Sequence, residues 1–324
     1  MYDKKLLECK VSTFKPVDFD ERWNRWLKEV HDCPNHIEIV DEDVRLDGFG
    51  KIISFYYDSV ANGKIYARLY LRWEPSRPVV AYYHGHMSYA DDKDNDWHCM
   101  NLVAAGFNVV IIDMRFQNGK AIDNNKYRYM DYPSACYNVD DLEHCYNKYL
   151  DQDALKILDI IKDPTIFKDI EGTPLANMPL LVAGPSQGGG LSLMVSAMSD
   201  YDIAASLSDV PSDCAIKDRI INREGKYTVI DDFLKDHQEL REVVMANQDY
   251  FDVINMADKI KCPVIASIGT EDNICPPRYF YQAYKKINGE KELHIYEGFG
   301  HGGFEEKHLP KKIGFAKRFL KADY

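Results

Sequence analysis

Hydrophobic and polar positions alternate in two different ways along this chain. In residues 18–30, DFDERWNRWLKEV, the apolar residues Phe19, Trp23, Trp26, Leu27 and Val30 recur at helical spacing, with acidic residues in the first turn. That pattern predicts an amphipathic N-terminal helix. A polar segment follows, and then KIISFYYDSVANGKIYARLYLRW reads as two strands around Ala61-Asn62-Gly63, where Asn-Gly favours a hairpin turn. From residue 78 the order becomes apolar strand, turn, amphipathic helix. Strands are predicted over 78–84, 107–114, 179–183, 203–208, 263–268 and 292–296, and helices over 94–105, 138–162, 188–198, 277–286 and 307–320. Continuous apolar strands alternating with helices describe an α/β fold: a mostly parallel central sheet with helices on both faces. The N-terminal helix and hairpin, within residues 1–75, extend one edge of it.

The segment from about 211 to 250 breaks this order. It is charged and helical in pattern (DDFLKDHQELREVVMANQDYFDV) and follows a strand end, where such folds carry insertions. It reads as an inserted helical cap; a further covering helix pair with no part in the site fits the pattern equally.

At 324 residues the chain has the size of a single large α/β domain, 1–324, with insertions. Its 40 Lys and Arg against 52 Asp and Glu leave a net charge of -12, which repels a phosphate backbone or an anionic membrane, so neither nucleic acid nor a membrane is expected as a partner. The first residues contain no apolar signal-peptide core, and no stretch approaches the length of a membrane span. The eight cysteines are scattered without a C-x-x-C pair and read as reduced thiols. A soluble cytoplasmic protein is the expectation.

Chemistry enters at residues 181–190, LVAGPSQGGG. Gly184 and Gly189 have P-loop spacing, but Gly190 and Leu191 stand where a phosphate-binding loop needs lysine and a hydroxyl residue. Gly184, Ser186 and Gly188 instead make G-x-S-x-G, a turn so tight that side chains at its flanks clash. It follows a predicted strand and precedes a predicted helix, which is the setting of a nucleophilic serine. Such a serine needs a base and an orienting acid, each in a loop after a later strand. GTEDNICPP offers Glu271 and Asp272, and EGFGHGG offers His301. Asp209 and Asp213 are rival acids one strand earlier; Asp272 is preferred.

The remaining histidines need other readings. His31, His36, His98, His144, His237, His294 and His308 read as surface or packing positions. His84-Gly85-His86, near Asp91, Asp92, Asp94 and Asp96, suggests a metal cluster, but the H-x-H-x-D-H pattern fails at Ser88 and Tyr89. No metal is expected. A turn after that strand can instead supply an oxyanion-binding amide, pairing the backbone N–H of His86 with that of Gln187.

These residues resemble carbohydrate esterase family 7, the acetyl xylan esterases and cephalosporin-C deacetylases of the α/β-hydrolase superfamily. PVDFDERW, YYHGH, GPSQGGGLSL and YFDVINMADKIKCPVIASIGTEDNICPP carry the resemblance almost end to end. It implies an α/β-hydrolase fold, a triad of Ser186, Asp272 and His301, oxyanion amides on His86 and Gln187, no cofactor, and a ring-shaped hexamer. Three motifs depart from the family. Its Arg-Gly-Gln stands here as Arg115-Phe116-Gln117, with Arg115 and Gln117 expected to support the site; its His-Glu-Gly-Gly as His301-Gly302-Gly303; and the tyrosine after His-Gly as His86. The implied activity is serine-dependent removal of acetyl groups from a small acylated sugar. Two alternatives stand beside it: a carboxylesterase or peptidase whose pocket is reshaped by walls at Phe116 and His86, and a hydrolase-like binding protein without turnover.

Overall fold

In the computed structural model, which describes residues 7–43, 48, 50–74, 76–168 and 175–320, the two patterns meet in one sheet. Its strands are β1 (Ile37–Asp43), β2 (Gly50–Ser59), β3 (Gly63–Arg72), β4 (Val79–Tyr83), β5 (Asn108–Ile112), β6 (Leu180–Pro185), β7 (Ile203–Asp209), β8 (Val264–Gly269) and β9 (Lys291–Tyr296). They lie in the order β1-β2-β3-β5-β4-β6-β7-β8-β9. The first three pair antiparallel, β3 joins β5 antiparallel, and all pairings from β5 to β9 are parallel. The loops after β4, β6, β7, β8 and β9 therefore leave the sheet at one end.

The helices are α1 (Phe19–Asp32), α2 (Lys93–Ala104), α3 (Tyr146–Lys162), α4 (Gln187–Met198), α5 (Ile216–Ile221), α6 (Thr228–Asp236), α7 (Arg241–Asn247), α8 (Pro277–Lys286) and α9 (Glu305–Arg318). A core on one face of the sheet joins Trp23 and Trp26 of α1 and Ile157 and Ile161 of α3 to Phe55, Ala81 and Val182. On the other face, Leu102 of α2 and Phe315 of α9 pack with Tyr82, Val109 and Leu181. Two covered faces explain why the parallel strands carry unbroken apolar runs.

Two details differ from the sequence expectation. The polar segment before the hairpin forms strand β1, whose residues are all partly or fully exposed. An edge strand is held by backbone hydrogen bonds to one neighbour, so IEIVDED needs no apolar face to pair with β2. The helix expected from residue 138 begins at Tyr146. Asn138, at φ 50°, folds the preceding residues into turns: its side chain accepts from the Arg128 amide at 2.7 Å and donates to the His144 carbonyl at 2.9 Å. The predicted hairpin turn holds, with Ala61 and Asn62 both at positive φ (51° and 56°).

The segment after β7 is helical, as read, and consists of α5, α6, α7 and short 3-10 turns. Phe233 of α6 packs edge-on against Tyr129 and Tyr132 at 4.8 and 5.1 Å. Among the described residues no helix is long and apolar enough to cross a membrane.

Candidate active site

β6 ends at Pro185 and α4 starts at Gln187, which leaves Ser186 alone at the bend with φ 56° and ψ -118°. A non-glycine residue in such a conformation costs on the order of 1–3 kcal/mol, so the surroundings must impose it. Three backbone hydrogen bonds do so: the Ser186 amide donates to Asp209 O at 2.9 Å, and Ser186 O accepts from Ser212 and Gly190 at 2.9 and 3.0 Å. The flanking glycines answer to one atom. A Cβ on Gly188 would lie 1.8 Å from the Tyr83 carbonyl oxygen, and one on Gly184 would lie 2.3 Å from it. G-x-S-x-G is thus the sequence that lets the elbow sit against the end of β4.

The loops after β8 and β9 bring Asp272 and His301 together. Asp272 is buried; its Oδ1 accepts from the amides of Ile274 (2.9 Å) and Cys275 (2.8 Å), and its Oδ2 lies 2.7 Å from His301 Nδ1. With Oδ1 saturated by two amides, Oδ2 is left to orient the imidazole. The rival acids are engaged elsewhere. Glu271 is exposed. Asp209 is held by Lys312 and by Ser267 Oγ at 2.8 Å; against the cost of burial, Lys312 and His308 keep its carboxyl well below the usual range. Asp213 is paired with Lys226 at 2.7 Å and accepts from the Tyr227 hydroxyl.

Ser186 and His301 line one cavity of about 640 Å³. Among the described residues no hydrogen bond joins Ser186 Oγ to His301; the hydroxyl instead lies 3.9 Å from Cys275 Sγ. Nucleophile and base commonly close up only around a bound substrate. Among the described residues the amides of His86 and Gln187 have no acceptor, so both N–H groups are available at the elbow.

Side chains tie those two residues together. The Met87 amide donates to Gln117 Oε1 at 2.7 Å, which turns Gln117 Nε2 towards Tyr146 OH (3.0 Å) and Gln187 Oε1 (3.2 Å). Gln187 Oε1 is then the acceptor for His86 Nδ1 at 3.1 Å. Enclosure in the wall and the charge of Lys226 lower the pKa of His86, which favours a neutral ring. His84 pins the same turn from below. Fully buried and pushed down to about 4 by burial, it accepts from the Met114 amide at 3.2 Å, so its Nδ1–H donates to Gly85 O at 2.7 Å.

Gln117 is therefore part of the network, while Arg115 stands apart from it. Arg115 is fully buried against Asp123 and Asp153 at 2.7 Å each, and anchors the strand end from which the Gln117 loop departs. Phe116 corrects the expectation of a pocket wall. At φ 56° its ring packs on Tyr127 (5.4 Å), Tyr137 (5.2 Å) and Tyr146 (6.4 Å), away from the residues lining the cavity. His86 does line it.

Several lining residues were not legible as such. His98 and His308, read as surface or packing positions, face the cavity with Asp209 and Lys312. The available signal was the four-residue spacing of His308 and Lys312, which puts both on one face of α9. Cys275, next to the serine hydroxyl, was visible only within the Asp-x-x-Cys-Pro-Pro motif. Ser212, Arg219, Gly225 and Lys226 also line the cavity, so the segment after β7 forms part of its wall.

Comparison with known proteins places these features in context. The family model described as acetyl xylan esterase (AXE1) matches residues 2–319. The acetyl esterase Axe7A of Xylanibacter ruminicola is 29% identical over 154 residues, which cover 48% of this chain and 32% of that protein, so the chain matches about a third of that relative's length. Among solved structures, acetyl xylan esterase 1 from Thermoanaerobacterium sp. JW/SL YS485 superposes with a TM-score of 0.83 at 27% identity, covering 97% of this chain and 99% of its own. An acetyl xylan esterase from Paenibacillus sp. R4 superposes with a TM-score of 0.84 at 24% identity, covering 99% and 100%, and bears on the fold.

Proposed function

The chain belongs to the acetyl xylan esterase family, and from that premise we propose that it is a serine esterase that removes acetyl groups from acylated sugars. The observation that carries this reading is the buried Asp272 carboxylate set 2.7 Å from His301 Nδ1 in the cavity that also holds the strained Ser186.

The chemistry runs in two steps. Asp272 accepts a hydrogen bond from His301 Nδ1–H, which keeps the proton on Nδ1 and leaves Nε2 bare to take the proton of Ser186 as its oxygen attacks the acetyl carbonyl. The amides of His86 and Gln187 receive the charge that develops on the carbonyl oxygen, a contribution of about 3 kcal/mol per donor in comparable hydrolases. Their side-chain link through Gln117 fixes both donors before substrate arrives. His301 then returns the proton to the leaving sugar oxygen, an acetyl-serine ester remains, and water activated by the same imidazole releases acetate. Each residue already present suffices for these steps. Eight free thiols, with no disulfide among them, support action in a reducing compartment.

The test is hydrolysis of p-nitrophenyl esters of rising acyl length, alongside a monoacetylated xyloside. Turnover that falls steeply beyond acetyl, together with release of acetate from the xyloside, is the expected result. A preference for long acyl chains would contradict the acetyl reading, and cleavage of peptides in place of esters would favour the peptidase alternative.

A further inference from the structure

The cavity is far larger than an acetyl group, and its walls differ in chemistry. One wall is built by α2 and α9: Asn95 and His98 from α2, His308 and Lys312 from α9, with Asp209 from the end of β7 beside them. Lys312, His308 and Asn95 are 4%, 1% and 4% exposed, yet all line the cavity. Burying an ion pair and the His308 imidazole, with His98 half-buried beside them, is costly next to a reaction centre unless their remaining hydrogen-bonding capacity is used.

Asp209 is satisfied by Lys312 and Ser267. His98 is not satisfied by protein: among the described residues neither ring nitrogen has a hydrogen-bond partner. The ring is placed by two aromatic contacts, stacked on Tyr82 with centroids 5.9 Å apart and edge-on to Trp97 at 4.8 Å. Burial and the neighbouring Lys312 push it down to about 4, so at neutral pH it offers one N–H donor and one bare nitrogen acceptor. His308 adds a second buried nitrogen, Nε2, which lies 3.2 Å from Asp209 but out of line for a hydrogen bond.

We infer that the recess between α2 and α9 is the subsite for the alcohol half of the ester, and that His98 is a specificity-determining residue that hydrogen-bonds a free hydroxyl of a pyranose ring. This rests on the esterase reading above and adds to it where the sugar lies and what recognises it. The wall's chemistry selects this half of the substrate. A hydroxylated ring both donates and accepts, so it matches the donor and acceptor of His98 and the ammonium donors of Lys312. An alkyl acyl chain placed there would strip water from Lys312 and Asp209 and return nothing.

The experiment compares wild type with His98→Phe, which keeps the ring stacked on Tyr82, and His98→Gln, which restores a donor and an acceptor. Two substrates are used, p-nitrophenyl acetate and a monoacetylated xyloside with free hydroxyls, and free xylose is added as a competitor of p-nitrophenyl acetate. The expected result in His98→Phe is a rise of about five- to tenfold in KM for the xyloside with kcat little changed, a KM for p-nitrophenyl acetate that moves much less, weaker inhibition by xylose, and partial recovery of each in His98→Gln. Equal changes in KM for both substrates, or unchanged inhibition by xylose, would overturn the subsite. If wild type cleaves neither ester, the esterase reading itself fails, which is a different outcome from loss of the His98 effect alone.

Discussion

His301 Nδ1 and Asp272 Oδ2 stand 2.7 Å apart, and the other carboxylate oxygen is saturated by the amides of Ile274 and Cys275. The acid is thus held by backbone and can present only one oxygen to the imidazole. Replacing it with amide, Asp272→Asn, offers an N–H group or a weaker acceptor at that position and favours the wrong tautomer of His301. The expected outcome is a fall in kcat of about 10⁴-fold with KM nearly unchanged, as in comparable triads. Steady-state kinetics on p-nitrophenyl acetate check it; a loss below tenfold would move the acid's role to another residue.

The elbow glycines admit no side chain, because the Tyr83 carbonyl lies where either Cβ would be. Gly188→Ala, with a 1.8 Å contact to backbone, requires β4 and α4 to move apart. Activity should fall by at least 10²-fold, since displacement of about 1 Å at a reacting centre has that effect, and the melting temperature should drop with it. Activity and thermal unfolding measured on the same preparation check this.

Phe116 tests where specificity resides. Phe116→Gly relieves a left-handed backbone but removes the ring from Tyr127, Tyr137 and Tyr146, for an expected net loss of about 2–4 kcal/mol in stability. Because the ring does not line the cavity, the acyl-length profile should keep its shape. Denaturant unfolding and the ester series measure the two effects separately.

Asp209 makes stability depend on acid. Its folded pKa is held below the unfolded value of about 3.9, so its contribution is present above that pH and is lost as pH falls through the folded value. In Asp209→Asn that contribution is absent throughout. The wild type should therefore melt higher at pH 7, and the gap should narrow as pH is taken from about 5 to 3. A gap that widens on acidification would reverse the assignment.

The site was legible where local geometry dictates residue type and hidden where it is made through space. Gly184, Ser186 and Gly188 could be read because one carbonyl forbids every alternative at the flanks, and Asp272 and His301 because each lies in the loop that follows a predicted strand. His98, Asp209 and Lys312 sit on α2, β7 and α9, far apart in sequence, and only the packing of both helices over one face of the sheet brings them to one wall. Phe116 was placed by its motif, but a motif does not report the direction of a side chain; the positive φ and three tyrosines do. Strand β1 escaped notice for a related reason, since an exposed edge needs only backbone bonds and carries no apolar signature.

The most direct measurement is of Ser186 itself: intact-mass analysis and peptide mapping after reaction with a fluorophosphonate, together with turnover of p-nitrophenyl acetate by Ser186→Ala. One phosphonate adduct per chain, located on Ser186, and a variant at least 10³-fold slower than wild type are the expected results. Labelling at another residue, or wild-type turnover by Ser186→Ala, would contradict a nucleophilic serine at this elbow.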